Sequence, residues 1–241
     1  MTINNQAIAI EAMGQTVTLL PQRAVYLNDA QTLLVADLHL GKAATYRKLG
    51  QPVPQGTTSE TLARLTAVVQ RQPVKKLVVL GDFLHAAHVH QAAQTLAAIE
   101  RWRARHATLS ITLVRGNHDD RAGDPPKAFG IDVVDEPYCF EGFECRHALP
   151  HQENHVLGGH AQAFTFAGHT HPVVTLQGRA RDRLRLLCFV VSPRTCILPA
   201  FGAFTGGHEH QATQDETLYA IADEAIFAIP GQRSKQRHGR P

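Results

Sequence analysis

The chain has 241 residues, enough for one large domain or two small ones with a sizeable buried core. Its formal net charge is +3, but four of the positive charges lie in the last eleven residues, at Arg233, Lys235, Arg237 and Arg240. The remaining chain is therefore nearly neutral, which argues against nonspecific binding of duplex nucleic acid over a broad face. No stretch is apolar enough to span a bilayer and no signal-peptide pattern is visible, so we expect a cytoplasmic protein without membrane contact.

Strands and helices are predicted to alternate over the first 114 residues. In chain order these are short strands within 1–30, a buried strand at 31–36, a loop over 41–56, a helix over 57–70, a strand at 76–80, a helix over 88–105 and a strand at 109–114. The helix over 57–70 opens with Thr57 and Glu60 at the spacing of a capping box. Such alternation predicts a parallel sheet with crossover helices.

After residue 126 the helical periodicity fades and strands predominate. They are predicted at 131–134, 138–140, 143–146, 164–167, 173–176, 184–191 and 195–198, followed by a closing hairpin of 218–222 and 225–229. We predict one domain over 1–230 and a basic, disordered tail over 231–241. The four cysteines show no metal-binding spacing and are interpreted as reduced core thiols.

Four short polar motifs follow apolar, strand-like runs. They are Asp37-Leu38-His39, Gly81-Asp82-Phe83-Leu84-His85, Gly116-Asn117-His118-Asp119 and Gly168-His169-Thr170-His171. A single motif of this kind could serve a turn for backbone reasons only. Four in succession predict a site, because α/β proteins place polar site residues at the ends of their strands. Carboxylates, imidazoles and an amide suit Mn²⁺, Fe²⁺ or Zn²⁺ better than Ca²⁺.

In this order the four motifs resemble those of the calcineurin-like metallophosphoesterase superfamily. The longer stretches at 37–42 and 198–207 are similar to its bacterial branch of ligase-associated DNA damage response endonucleases, called PdeM. The resemblance covers about residues 21–229. It implies an α/β (α+β) fold, a four-layer αββα sandwich of two mixed β-sheets flanked by helices.

The resemblance also implies two divalent transition metal ions, with Mn²⁺ favoured and Fe²⁺ or Zn²⁺ as alternatives. The first ion would be held by Asp37, His39, Asp82 and His171, and the second by Asp82, Asn117, His169 and one further histidine. Asp82 would bridge the two ions. For the further histidine we favour His147, at a predicted strand end, while His151, His155 and His160 remain open.

By the same resemblance, His118 is the imidazole that protonates the leaving oxygen, and Asp119 holds its orientation. His85 follows Asp82 by three residues and has two interpretations of equal weight. It is either a surface histidine at a helix start or a second imidazole in the site, as in the DNA-repair nucleases of the superfamily whose motif is similar.

Basic residues near the first motif are candidates for substrate binding. Lys42 and Arg47 could contact phosphates, although such charges more often keep a loop solvated. The alternating Arg179, Arg181, Arg183 and Arg185 indicate a solvated hairpin more readily than a phosphate-binding stripe.

The favoured function is a dinuclear metal-dependent phosphodiesterase in which a metal-bound hydroxide attacks the phosphate and His118 acts as general acid. The resemblance implies a DNA endonuclease in DNA repair, with DNA as substrate and a ligase, helicase or exonuclease as partners. A phosphodiesterase or phosphatase for small molecules, such as cyclic nucleotides, is the alternative. A non-catalytic scaffold of the same fold ranks last, because every motif residue is intact.

Overall fold

The computed structural model describes residues 7–85, 93–150, 163–178 and 182–230. Its first sheet has seven strands that lie side by side in chain order. They are β1 (Ile8–Ala12), β2 (Gln15–Leu20), β3 (Ala24–Leu27), β4 (Thr32–Ala36), β5 (Lys76–Leu80), β6 (Ser110–Val114) and β7 (Ile131–Val134). Strands β1 to β4 pair antiparallel, whereas β4 to β7 pair parallel, so the predicted parallel sheet forms one half of a mixed sheet.

The second sheet is also mixed and has nine strands. They are β8 (Tyr138–Phe140), β9 (Phe143–Cys145), β10 (Phe164–Ala167), β11 (Pro172–Gln177), β12 (Arg183–Val191), β13 (Thr195–Ile197), β14 (His208–Glu209), β15 (Thr217–Ala222) and β16 (Ala225–Pro230). Their order is β14-β11-β12-β13-β10-β9-β8, and β15 pairs with both β12 and β16. Strand β10 runs parallel to β9 and β13, while β15 and β16 form the predicted antiparallel hairpin.

One hydrophobic core lies between the two sheets. Val78 and Leu80 of the first sheet pack in one cluster with Phe143, Phe166 and Phe189 of the second. Burying a side chain of this size stabilises the fold by about 1.5–3 kcal/mol. The contact therefore holds the ends of strands from the two sheets close together, where the polar motifs lie.

The helices of the described residues are α1 (Lys42–Lys48), α2 (Thr57–Arg71), α3 (Ala93–Arg105) and α4 (Asn117–Ala122), with a 3-10 helix at Lys127–Phe129. Leu62 and Leu65 of α2 and Ile99 and Trp102 of α3 pack on the outer face of the first sheet. A smaller cluster of strand residues lies on the outer face of the second sheet. Two mixed sheets flanked by helices confirm the predicted sandwich.

Local expectations failed in three places. Helix α1 lies inside the segment 41–56, which was predicted to be a loop. The glycines and prolines after Leu49 favoured that prediction, although a short helix precedes them. The capping box is not formed: Gly56 is the N-cap with a left-handed φ of 81°, and Thr57 is already helical. Cys139 is exposed on edge strand β8, while the other three cysteines are buried, and all four are free.

Some expectations concern residues outside the described ranges. The first residues of the helix predicted over 88–105 and the tail over 231–241 are among them. The division into one domain and a tail stays a prediction. Among the described residues, no helix is both long and apolar enough to cross a membrane.

Candidate metal and catalytic site

The polar motifs of the first sheet follow three adjacent parallel strands. Strand β4 leads to Asp37, β5 leads to Asp82 and β6 leads to Asn117. Strand β10 of the second sheet leads to His169, whose backbone N–H donates to Oδ2 of Asp37 over 2.9 Å. Since parallel strands end at the same edge, all four motifs meet at one end of the sandwich.

Five of the candidate ligands have a left-handed backbone conformation, which is uncommon for residues other than glycine. They are Asp37, His39, Asp82, His169 and His171, with φ values of 56°, 46°, 52°, 69° and 46°. Each such residue costs on the order of 1–3 kcal/mol and persists only where its surroundings hold it. Here the loops hold each other, as the backbone N–H of His39 donates to the carbonyl of Asp82 over 2.8 Å. Strain concentrated on these residues indicates a functional site.

A first cluster of ligand atoms is formed by Asp37, His39 and His171, whose atoms all lie within 4.8 Å of one another. The Nε2 atoms of the two imidazoles are 3.3 Å apart, and Nε2 of His171 is 3.4 Å from Oδ1 of Asp37. The Asp37 Oδ1 atom is buried without a hydrogen-bond partner in the described part of the chain. A buried acceptor facing two imidazoles is the arrangement expected around a cation.

A second cluster lies beside the first and contains Asp82, His147 and His169. Nε2 of His147 is 2.9 Å from Oδ1 of Asn117 and 2.9 Å from Nδ1 of His169. The other nitrogen of the His147 ring lies 3.1 Å from the carbonyl oxygen of Leu80. That carbonyl orients the ring and leaves Nε2 free to coordinate, as is usual for metal-binding histidines.

Asp82 lies between the two clusters and is 2% exposed. Its Oδ2 atom is 3.6 Å from Nε2 of His39, in the first cluster. Its Oδ1 atom is 3.6 Å from Nε2 of His147, in the second. One carboxylate thus turns one oxygen toward each cluster, which is the geometry of a bridging ligand.

Glycines in the motifs leave the space that these side chains occupy. A Cβ atom on Gly81 would lie 2.1 Å from Nδ1 of His147, and one on Gly116 would lie 2.6 Å from Oδ1 of Asp82. A Cβ atom on Gly168 would lie 2.7 Å from Oδ2 of Asp37. The glycines are therefore needed for close approach to the ligands.

Burial controls the protonation of the clusters. It lowers the pKa of His39 far below the usual range, with further lowering by Lys42 and the neighbouring imidazoles. Burial also lowers the pKa of His169, with His147 as the next cause. Burial thus favours the neutral form of His39 and His169, the form that binds metal. Burial raises the pKa of Asp82, so an ionised carboxylate at this position needs a nearby cation.

A third group of rings lies at the edge of the clusters and consists of His39, His85 and His118. The backbone N–H of His118 donates to Oδ1 of Asp82 over 3.0 Å, and the Nε2 atom of His118 lies 4.0 Å from Oδ2 of Asp82. The rings of His85 and His118 stack with centroids 4.9 Å apart. Burial, followed by the charges of Lys42 and His118, lowers the pKa of His85 to about 4. The geometry therefore favours the interpretation of His85 as a second imidazole of the site.

The expected role of Asp119 is corrected by its contacts. Nδ1 of His118 lies 2.9 Å from the carbonyl oxygen of His85, so that carbonyl takes the orienting position expected of Asp119. The Asp119 carboxylate instead accepts hydrogen bonds from the backbone N–H groups of Phe83, Leu84 and Gly116. Adjacent helical residues point to different faces, which separates the two side chains. Asp119 therefore ties the Asp82 loop to the start of α4, and burial raises its pKa to about 6.

The two clusters open into a cavity of about 480 Å³. Its lining consists of His39, Lys42, Asp82, His118, His169, Thr170, His171 and His208. Lys42 lies in this lining from the first turn of α1, and burial lowers its pKa. Arg47 does not line the cavity: it is exposed, and its guanidinium donates to the carbonyl of Pro54 over 2.8 Å. Its expected contact with substrate is therefore not supported.

Two neighbours of the site were missed by sequence analysis. His208 lines the cavity and directly follows the stretch at 198–207, which could have signalled it. Glu136 accepts hydrogen bonds from the backbone N–H groups of His147 and Ala148, and no sequence pattern marks it. The alternatives His151, His155 and His160 lie outside the described residues.

Two ligand clusters at the strand ends of a two-sheet sandwich define a metal-dependent phosphoesterase. The family model for calcineurin-like phosphoesterases matches residues 30–178, and the chain belongs to this family.

Comparison with solved structures gives a finer relationship. The chain is similar to Pseudomonas putida nuclease MPE, with 41% identity and a TM-score of 0.77 over 93% of this chain and 100% of that one. This match is consistent with the branch that the sequence motifs indicate. The E. coli phosphoesterase Yfce matches with 16% identity and a TM-score of 0.39 over 83% of this chain and 99% of that one, too distant to inform function. Comparison with curated proteins gives no significant match.

Proposed function

We propose that this chain is a dinuclear metal-dependent phosphodiesterase that cleaves DNA as a nuclease in DNA repair. The observation that carries the proposal is Asp82, whose two oxygens face two separate ligand clusters at 3.6 Å each. The first ion would be bound by Asp37, His39, Asp82 and His171, and the second by Asp82, Asn117, His147 and His169. Mn²⁺ suits this mixture of oxygen and nitrogen ligands, as do Fe²⁺ and Zn²⁺.

The described residues fit such ions on two counts. Asp37 carries a buried oxygen without a hydrogen-bond partner in the described ranges, and burial favours the neutral form of His39 and His169. Divalent ions bound there would polarise the phosphate and supply a nucleophile at neutral pH.

His118 is proposed as the general acid. The His85 carbonyl accepts a hydrogen bond from Nδ1–H, so Nε2 is the atom that delivers a proton to the leaving oxygen. This Nε2 atom lies 4.0 Å from Asp82, at the edge of the clusters, where a leaving group can reach it. Such a proton transfer contributes about 10²–10⁴-fold to the rate.

The remaining residues of the site bind the substrate or position the catalytic groups. Lys42 lines the cavity and places an ammonium group where it can bind a nonbridging phosphate oxygen. The His85 ring packs against His118 and limits its rotation. Asp119 holds the backbone of the loop after β5 against the start of α4, which keeps Asp82 beside Asn117.

DNA is proposed as the substrate because the chain is 41% identical over most of its length to a protein described as a nuclease. The motif at 198–207 supports the same branch. Repair by way of a ligase, helicase or exonuclease partner, and a cytoplasmic location, remain predictions from the resemblance.

The proposal is tested with a substrate panel and Mn²⁺. We expect hydrolysis of single-stranded or duplex DNA and of bis-p-nitrophenyl phosphate, lost on chelation and restored by Mn²⁺. Hydrolysis of cyclic nucleotides alone would show that the substrate is a small diester and that DNA is not. Activity that survives complete metal removal would overturn the dinuclear mechanism.

A further inference from the structure

A second cavity, of about 520 Å³, shares no lining residue with the metal cavity and is rich in arginine. Its arginines come from the turn before β3, from α2 and from β12. They are Arg23, Arg64, Arg71 and Arg185. Four guanidinium groups around one cavity are unusual in a chain whose body is nearly neutral, so the charge is concentrated locally.

Part of this positive charge is not neutralised by the carboxylates nearby. Arg64 pairs with Glu60 over 3.0 Å, but no carboxylate in the described ranges lies within 4.0 Å of Arg23, Arg71 or Arg185 in an ion pair. Asp223 and Glu224 also line the cavity, and they leave an excess of positive charge. A cavity of this kind attracts anions.

Arg23 and Arg64 are held in place against each other's repulsion. Burial, followed by the charge of Arg64, lowers the pKa of Arg23 to about 10, and Arg23 has a left-handed φ of 67°. Each arginine donates to a backbone carbonyl, Arg23 to Gly202 over 3.2 Å and Arg64 to Phe201 over 2.6 Å. An anion between them would offset both the burial of the two guanidinium groups and the repulsion of Arg23 by Arg64.

The same two backbone residues connect the arginines to the metal site. The N–H of Phe201 donates to the carbonyl of Ala36 over 2.8 Å, and that of Gly202 donates to the carbonyl of Asp37 over 3.1 Å. The arginines and the ligand Asp37 are thus attached to opposite edges of one short backbone segment.

A smaller cavity lies between the arginine cavity and the metal cavity. It has about 220 Å³, shares Arg23, Arg185 and Leu187 with the arginine cavity, and extends to Gly207. The next residue, His208, lines the metal cavity, and consecutive Cα atoms are only about 3.8 Å apart. The N–H of His208 also donates to the carbonyl of His171 over 3.0 Å. The three cavities therefore follow one another along the surface.

We propose that the arginine cavity binds backbone phosphates of the nucleic-acid strand that is cleaved at the metal site. This inference rests on the proposed function, since it requires a polymeric substrate. Guanidinium groups bind phosphate oxygens in a bidentate manner and do so without reading the base sequence. A small diester is too short to occupy both cavities, so the arginines contribute affinity only for longer strands.

The test compares two double variants. Arg71→Gln with Arg185→Gln removes two exposed arginines of the cavity. Arg101→Gln with Arg105→Gln removes two arginines of α3 and is the matched control, because Arg71 and Arg105 both lie in the last turn of a helix. Binding of a labelled 20-nucleotide single strand is measured by anisotropy with Ca²⁺ in place of Mn²⁺. Ca²⁺ prefers sites made of oxygen ligands only, so it does not suit the mixed ligands of the metal site. Cleavage of the same strand and of bis-p-nitrophenyl phosphate is then measured in Mn²⁺.

We expect the cavity variant to bind the strand at least about ten-fold more weakly than the control, with a salt slope reduced by about 0.7 for each lost phosphate contact. Its kcat/KM on bis-p-nitrophenyl phosphate should equal that of the control variant. Equal strand affinity and equal salt slope in the two variants would overturn the inference, as would a wild-type protein that does not bind the strand. If the cavity variant differs from the control only in how inorganic phosphate inhibits its hydrolysis, the cavity binds a free ion and the proposed strand contact is wrong. Loss of wild-type cleavage with strand binding retained would instead count against the proposed nuclease function.

Discussion

The two sheets contribute different chemistry to the metal clusters. The first sheet supplies every oxygen ligand of the proposed set, from Asp37, Asp82 and Asn117, together with one imidazole, His39. The second sheet supplies nitrogen ligands only. These are His147, His169 and His171.

Each of the two proposed ion sites draws on both sheets, so neither sheet alone supplies a complete proposed ligand set. The link is direct, because the backbone N–H of His169 donates to a carboxylate oxygen of Asp37, 132 residues earlier in the chain. The two carboxylates are buried, and the second sheet adds the buried His147 and the more exposed His169 and His171. This division predicts that substitutions in the two sheets will have different consequences for metal content.

The largest effect is expected from Asp82→Asn. Because Asp82 faces both clusters, this variant should lose both ions and more activity than the about 10⁴-fold upper contribution of a general acid. His171→Ala, in the second sheet, should lose only the first ion. Elemental analysis and kinetics with Mn²⁺ measure both effects, and Asp29→Asn, at an exposed position, is the control. Equal metal loss in the Asp82 and His171 variants would end the distinction between a bridging and a terminal ligand.

His118→Ala should have the next largest effect and should depend on the leaving group. A nucleic-acid diester expels an alkoxide and needs the proton, so its hydrolysis should fall by about 10²–10⁴-fold. Bis-p-nitrophenyl phosphate releases a stable anion and should lose much less, with metal content unchanged. If both substrates lose equally, His118 positions the phosphate and does not protonate the leaving group.

Glu136→Gln probes how the second sheet positions its imidazole. Glu136 accepts two backbone N–H groups at His147 and Ala148, and loss of such support typically weakens metal binding about 10–100-fold. We expect weaker binding of one ion only, measured by titration of metal-free protein with Mn²⁺. Glu141→Gln, an exposed residue between β8 and β9, is the matched control. Unchanged affinity for both ions would show that the Leu80 carbonyl alone orients His147.

Arg47→Gln should have the smallest effect. Its guanidinium donates a hydrogen bond to the Pro54 carbonyl, and Arg47 does not line the cavity. KM for a nucleic-acid strand should therefore change less than about two-fold, within the range of a solvated surface charge. Lys42→Gln, one helical turn earlier and in the cavity, should raise KM substantially more. A larger effect at Arg47 than at Lys42 would mean that the strand passes over α1 on its outer side.

Much of the fold follows from local patterns. Buried runs ending at Ala36, Leu80 and Val114 predicted β4, β5 and β6, and the helical stripe predicted α2, because such patterns depend on residues close together in the chain. The order of the motifs similarly predicted the ligand set, since each motif follows a strand end. Helix α1 was missed because its seven residues are too few to show a period before the glycines and prolines that follow.

Only the tertiary structure decided the contacts between distant segments. The docking of the two sheets brings His147 beside Asn117 and adds His208 to the cavity. Within the first sheet, contact between the segments after β5 and β6 gives His118 the carbonyl of His85 in place of Asp119. The docking of the sheets also gathers Arg23, Arg64 and Arg185 from three separate elements. The sequence by itself determined which side chains stand at the strand ends and therefore the class of chemistry. The contact partners of these side chains, the directions in which they point and the distances between them depend on packing between distant segments. No local pattern encodes which surfaces meet across more than a hundred residues.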